Sequence, residues 1–156
     1  MKAKIRVLFV CMGNICRSPT AEGVSRSLAE RMGIADRFVF DSAGTHGFHV
    51  GNPPDSRTQK AAAERGYDLS SLKARQVNSY DFTVFDRILA MDNDNLQLLR
   101  QACPKSLHGK LGLFLDFIDG GDVREVPDPY YGGPEGFQLV LDLTESAARG
   151  LLGNLA

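Results

Sequence analysis

Cys11 and Arg17 bracket five residues, Met12-Gly13-Asn14-Ile15-Cys16, and Ser18 follows directly. A turn of that length between a strand and a helix N-terminus can aim consecutive backbone N–H groups at one point, and the helix dipole adds to their field. Such a turn binds an oxyanion. Gly13 permits the unusual dihedrals it needs, and Asn14 tolerates the left-handed region better than most residues. Arg17 brings a planar fork of donors suited to two phosphate oxygens. The same positive surroundings favour the thiolate of Cys11 over the thiol. A thiolate beneath a tetrahedral oxyanion can attack phosphorus and form a thiophosphate. A hydroxyl donated by Ser18 would stabilise the sulfur as a leaving group afterwards. On spacing alone, Cys11 is also compatible with a small buried hydrophobe at a strand end.

Cleavage of a phosphate ester needs a proton for the leaving oxygen and then a base for the attacking water. His46, His49 and His108 read as loop or surface residues. Asp128 is the better candidate, because it sits between two prolines in Val126-Pro127-Asp128-Pro129-Tyr130-Tyr131-Gly132. Flanking prolines restrict the backbone and hold a carboxyl group in place. The adjacent tyrosines would supply an aromatic wall. Without Cys11 and Arg17 the same stretch would read as an ordinary surface turn.

These groups need a scaffold, and the hydropathy pattern predicts one. Ile5 to Val10 is apolar nearly throughout and rich in β-branched residues, as a strand buried on both faces should be. Ser18-Pro19 reads as an N-cap with proline at the first helical position, and Ala21, Val24, Leu28 and Met32 recur at helical spacing up to Gly33. Phe38 to Ala43 is a second strand. Asp55 caps a helix ending at Gly66. Arg87 to Met91 is a third strand, and Asp92 caps a helix through Leu96 and Leu99 that Pro104 stops. Leu111, Leu113, Leu115 and Phe117 alternate as a fourth strand. A final helix presents Phe137, Val140, Leu141, Thr144, Ala148 and Leu151 on one face. Alternation of this kind predicts an α/β fold, a single doubly wound sheet of four parallel strands flanked by helices on both faces. Ligands of such sheets bind beyond the carboxyl ends of the strands, where Cys11 stands.

The 156 residues suit a single domain spanning 1–156. A net charge of −1 argues against a broad nucleic-acid or polybasic membrane binder. No apolar run has the length of a membrane span, and the one behind the N-terminal lysines lasts only from Val7 to Met12, so a cytoplasmic location is expected. Three cysteines, an odd number, argue against a disulfide scaffold and direct attention to a chemical thiol. Cys103, beside Pro104, reads as structural.

The chain resembles the low-molecular-weight protein tyrosine phosphatases. The resemblance runs through Val10 to Pro19 with Ala21-Glu22, Asp41-Ser42-Ala43-Gly44-Thr45, Gly51-Asn52-Pro53-Pro54-Asp55, Ala74-Arg75-Gln76-Val77 and Asp128-Pro129-Tyr130-Tyr131-Gly132. It implies hydrolysis of phosphotyrosine and small aryl phosphates through a phosphocysteine on Cys11. Arg17 and the loop Met12, Gly13, Asn14, Ile15, Cys16 and Ser18 would bind phosphate, with Asp128 as general acid and base. Asn14 with Ser42 would brace the loop, and Met12, Phe48, Tyr130 and Tyr131 would form the substrate rim. Cys16 would be a redox partner of Cys11. No cofactor and no metal is implied. The partners would be phosphotyrosine-containing proteins, with neither nucleic acid nor membrane insertion, and the chain a monomer capable of weak self-association. Leu72 departs from the histidine that many members carry there to support the loop. Competing readings are a thiol-dependent arsenate reductase of similar fold, a non-catalytic phosphate-binding module, and a Cys–His hydrolase.

Overall fold

The strand starting at Ile5 is buried on both faces, and everything else is arranged around it. In the computed structural model, which describes residues 3–130 and 132–155, Val7, Leu8, Phe9 and Val10 are all fully shielded from solvent. Each such side chain contributes roughly 1.5–3 kcal/mol by leaving water. Strand β1 (Ile5–Cys11) therefore has little freedom at its end, where Cys11 stands.

Four strands form one parallel sheet in the order β2-β1-β3-β4, with β2 at Phe38–Gly44, β3 at Arg87–Ala90 and β4 at Leu111–Leu113. β1 pairs along its length with β2, from Ile5 opposite Phe38 to Cys11 opposite Gly44, and on its other side with β3. The chain leaves β1 for one neighbour and later returns to the other. The crevice between their carboxyl ends is thus a topological switch point.

Helices cover both faces. Val7, Phe9 and Cys11 point into a core shared with helix α1 (Arg17–Arg31), α2 (Ser56–Glu64) and the long α5 (Pro134–Leu155). There Phe9 packs edge-on against Phe114, with ring centroids 5.0 Å apart. Leu8 and Val10 point the other way, into a second core with Phe82 of the short helix α3 (Asp81–Val84) and Leu96 and Leu99 of α4 (Asn93–Ala102). The doubly wound arrangement expected from the sequence is the one observed. Asp55 and Asp92 cap α2 and α4 as expected, accepting from the amides of Arg57 and Asn95.

Two local expectations fail for identifiable reasons, and one short helix was not expected. The fourth strand stops at Leu113, because β3 offers partners only from Ile88 to Ala90, and the chain continues as a 3-10 turn over Phe114–Phe117. The first helix begins at Arg17 with Cys16 at its N-cap, and Ser18 is not the cap because its hydroxyl is engaged elsewhere. Pro19 still falls in the first turn, where a missing N–H costs no helical hydrogen bond. Helix α3 had no distinct apolar period to announce it.

Candidate active site

The segment after β1 turns sharply at Asn14, whose φ of 58° lies in the left-handed region. Among non-glycine residues this suits asparagine best. The loop's carbonyls are held from outside. Cys11 O accepts from Thr45 N at 2.9 Å, Met12 O from His46 N at 3.0 Å, Ile15 O from Asp55 N at 2.8 Å and Cys16 O from Thr20 N at 3.3 Å. In a planar trans peptide the N–H points opposite to the C=O. The N–H groups of Met12, Gly13, Cys16 and Arg17 therefore point away from these partners, as an anion nest requires.

At the centre lies the Cys11 sulfur. Asn14 N donates to it at 3.3 Å, and Ser18 Oγ stands 3.0 Å away. Asn14 Nδ2 donates to the same Ser18 oxygen at 2.8 Å, which directs the serine proton toward the sulfur. Asn14 Oδ1 accepts from Arg75 N at 3.0 Å. Arg75 is fixed in turn by ion pairs with Asp81 and Asp41, at 3.0 and 3.1 Å. The loop is thereby tied to the backbone at Arg75 through a side-chain amide that cannot titrate.

Arg17 is almost wholly buried, yet it lines the pocket. Its Nη1 donates to Asp92 Oδ2 at 2.6 Å and to Val126 O at 3.0 Å. Its Nη2 faces Asp128 Oδ2 at 3.8 Å. Burial works against the guanidinium charge, but Cys11, Asp92 and Asp128 outweigh it and hold Arg17 above its ordinary range. Cys16 behaves oppositely. Burial pushes its thiol up to about 12, with Asp55, Cys11 and Asp128 adding to the rise and a hydrogen bond to Thr58 opposing it. At neutral pH it is a thiol.

Asp128 lies across the pocket from Cys11, and its Oδ1 accepts from Tyr130 N at 3.1 Å. The pocket has a volume of about 340 Å³. Met12, Phe48 and Tyr130 form its apolar mouth. Phe48 is 74% exposed and stacks on His46, with ring centroids 5.2 Å apart. Among the described residues, no group of three or more His, Cys, Asp or Glu is arranged to hold a metal ion.

Most residues singled out from the sequence thus meet in one place: Cys11, Met12, Gly13, Ile15, Cys16, Arg17, Phe48, Asp128 and Tyr130 line the pocket, with Asn14 and Ser18 directly behind it. Tyr131 lies outside the described residues. The sequence points to Ser42 as a brace of the loop, but its hydroxyl donates to Glu22 Oε1 of α1 at 2.7 Å, and it is Arg75 N that donates to Asn14 Oδ1. Leu72 packs against the apolar core, so loop support at that position is not polar. Cys103 is buried in the core on the opposite sheet face from Cys11. Two pocket contributions leave no functional signal in the sequence. Asp92 has the signature of a cap alone, and nothing local signals its bond to an arginine 75 positions away. His49 has the signature of a loop residue, yet its ring lines the pocket and leans on Tyr130, with centroids 6.5 Å apart.

Comparison with known proteins agrees with this geometry. The family model described as low molecular weight phosphotyrosine protein phosphatase matches residues 6–156. The low molecular weight protein-tyrosine-phosphatase YfkJ of Bacillus subtilis is 40% identical over 97% of this chain and 96% of its own length. The human low molecular weight phosphotyrosine protein phosphatase is 40% identical over 94% of this chain and 92% of its own. A crystal structure of a protein tyrosine phosphatase from Entamoeba histolytica, with Hepes in its active site, superposes with a TM-score of 0.94 at 43% identity, covering 97% of each chain. With motif, fold and pocket in agreement along nearly its whole length, the chain belongs to the low molecular weight phosphotyrosine protein phosphatase family.

Proposed function

We propose that the protein hydrolyses phosphotyrosine in proteins, and small aryl phosphates, by a two-step reaction through a phosphocysteine on Cys11. The phosphate sits against the N–H groups of the 12–17 loop and the Arg17 fork, which match the charge of the trigonal-bipyramidal transition state. In the first step the Cys11 thiolate attacks phosphorus, the bond from phosphorus to the phenolic oxygen breaks, and Asp128 gives that oxygen its proton. In the second step the Asp128 carboxylate takes a proton from water. The water oxygen attacks phosphorus, the P–S bond breaks, and inorganic phosphate leaves. Ser18 stabilises the departing thiolate. Met12, Phe48 and Tyr130 hold the aryl ring, which favours tyrosine over shorter serine esters.

The observation that carries this reading is the convergence of a nucleophile, an anion fork and an acid on one pocket, with Ser18 Oγ 3.0 Å from Cys11 Sγ. A phosphate-binding module needs neither that hydroxyl nor Asp128. An arsenate reductase needs further cysteines to receive oxidation from Cys11, and Cys103 is buried across the sheet. Hydrolysis of an aryl phosphate without added metal by the native protein, Cys11→Ser and Asp128→Ala tests the proposal. Cys11→Ser is expected to be inactive. Asp128→Ala is expected to lose about 100-fold on a poor leaving group, in line with general-acid contributions, and far less on a leaving group that needs no proton. Full activity of Cys11→Ser would overturn the mechanism.

A further inference from the structure

Asp128 sits on a stretch, 119–133, that contains no helix or strand among its described residues. Its carboxyl group is one-third exposed. Nothing in local secondary structure fixes it. Two clamps do, one on each side at the same distance along the chain. On the N-terminal side, Val126 N donates to Met91 O at 2.7 Å, at the end of β3, and Val126 O accepts from Arg17. On the C-terminal side, Tyr130 O accepts from Arg57 Nη2 at 3.1 Å.

Arg57 is the second residue of α2 and is itself anchored. Its Nε and Nη2 hold the two oxygens of Asp55 at 3.1 and 2.9 Å, and its amide donates to Asp55 Oδ1 at 2.8 Å. The guanidinium carbon lies 5.3 Å from the Tyr130 ring centroid and 4.9 Å from that of Phe137, so it rests over two aromatic faces. Asp55 gives its own N–H to Ile15 O in the phosphate loop at 2.8 Å. A continuous strap therefore runs from Ile15 through Asp55, Arg57 and Tyr130 to Asp128, whose Oδ1 accepts from the Tyr130 amide.

We propose that Arg57 is a positioning residue for the general acid: it ties the loop carrying Asp128 to the phosphate loop and sets the distance between proton donor and leaving oxygen. The inference rests on the reading of Asp128 as general acid. The planar fork matters here, since it grips Asp55 with two nitrogens while spending its remaining Nη2 hydrogen on Tyr130 O; an ammonium has no such fixed geometry. Proton transfer depends steeply on placement, and an error near 1 Å in a reacting group is enough to cost orders of magnitude. Phosphate binding does not depend on the Arg57 links of the strap, because the loop carbonyls of Cys11, Met12 and Ile15 are held by the backbone amides of Thr45, His46 and Asp55, and Arg17 by Asp92 and Val126.

The test compares kcat/KM, which reports the steps up to departure of the leaving group, for phenyl phosphate and 2,4-dinitrophenyl phosphate. Arg57→Ala is expected to lose about 10-fold on phenyl phosphate and less than about 2-fold on the dinitrophenyl ester, whose oxygen needs no proton. In an Asp128→Ala background, Arg57→Ala should cause almost no further loss. Arg57→Lys, which keeps the stem and charge, should show the same dependence on leaving group at smaller size. Inhibition by inorganic phosphate should be unchanged throughout, which also reports an intact loop in each variant. Equal losses on both esters, losses that multiply with Asp128→Ala, or weakened phosphate inhibition would each overturn the role of Arg57. If Asp128→Ala alone shows no dependence on leaving group, the general-acid reading fails and the positioning role falls with it. A leaving-group dependence in Asp128→Ala that is missing in Arg57→Ala removes only the latter.

Discussion

Asp92 divides its carboxylate between two tasks: Oδ2 accepts from Arg17 Nη1 at 2.6 Å, and Oδ1 accepts from the Asn95 amide at 2.8 Å. The first bond orients the arginine of the pocket, and the second caps α4. Two substitutions separate them. Asparagine is as good a cap as aspartate, whereas alanine forfeits about 1 kcal/mol. Asp92→Ala is therefore expected to be less stable than Asp92→Asn by about that amount in denaturant titrations. Both variants lose the charged partner of Arg17, so both should show weaker inhibition by phosphate and about 10-fold lower kcat/KM, the scale of one charge-assisted hydrogen bond. Equal stability of the two variants, or unaltered phosphate inhibition, would count against this division of labour.

Ser18 gives a kinetic prediction of a different kind. Its oxygen accepts from Asn14 Nδ2 and lies 3.0 Å from the Cys11 sulfur, so its proton is free to donate to a thiolate there. A hydrogen bond to an ionised partner contributes about 1.5–3 kcal/mol. Within the proposed mechanism, that bond is made to a bare thiolate before attack and again when the thiolate departs. Ser18→Ala should thus slow turnover by about 10- to 100-fold, with little change in phosphate inhibition. Because phosphoenzyme breakdown is slowed, a pre-steady-state burst of phenol should become more pronounced. Loss of phosphate binding in place of turnover would assign Ser18 to the loop's shape instead.

The contrast between Ser18 and Asp92 shows what the sequence made legible. The loop could be read because its parts are local: a buried strand, Gly13 and Asn14 for the turn, and Arg17 at the start of a helix. The doubly wound sheet was legible for the same reason, since the apolar run of β1 and the cap residues Asp55 and Asp92 each act within a few positions. Partners brought in by the fold were not. Arg17 donates to Asp92 across 75 positions and to Val126 O across 109, and such pairings leave no periodic trace. Alternation also misled at Leu115 and Phe117, because a strand needs a neighbour, and β3 ends before they are reached.

Cys16 links burial to both pH and oxidation. Its thiol is raised from an ordinary 9.0 to about 12, chiefly by burial. In the unfolded chain it deprotonates first, so between those values the native state holds a proton that the unfolded state has lost. The stabilisation is complete below the ordinary value and declines as pH rises through the folded one. Native stability relative to Cys16→Ala should accordingly fall above about pH 9, by at most about 1.4 kcal/mol per pH unit. The same thiol, lining the pocket beside Cys11, is proposed to guard it. Peroxide converts the Cys11 thiolate to a sulfenic acid, and the Cys16 thiol condenses with it, forming a disulfide and releasing water. Dithiothreitol should then restore the native protein after peroxide treatment but not Cys16→Ser. Equal, irreversible inactivation of both would remove the guard role.

Gly44 tests whether the loop's shape depends on close backbone approach. It ends β2 opposite Cys11, and a Cβ there would lie 2.7 Å from Met12 O, 3.0 Å from His46 O and 3.3 Å from Asn14 N. All three neighbours are backbone, so no flexible side chain can yield. Two of them are also committed: Met12 O accepts from His46 N, and Asn14 N donates to the Cys11 sulfur. Nor can the strand end retreat, since Gly44 N donates to Arg75 O at 2.8 Å and Gly44 O accepts from Val77 N at 2.9 Å. The added methyl group must therefore push the phosphate loop out of shape. Overpacking of this kind costs about 1–3 kcal/mol in stability, but the larger effect should fall on function, because Asn14 carries the hydrogen bonds to both Cys11 and Ser18. Gly44→Ala is expected to remain folded, with a melting temperature lowered by several degrees as that cost implies, and to lose phosphate inhibition together with turnover. A variant that keeps native phosphate inhibition would show that the loop can be shaped without this contact.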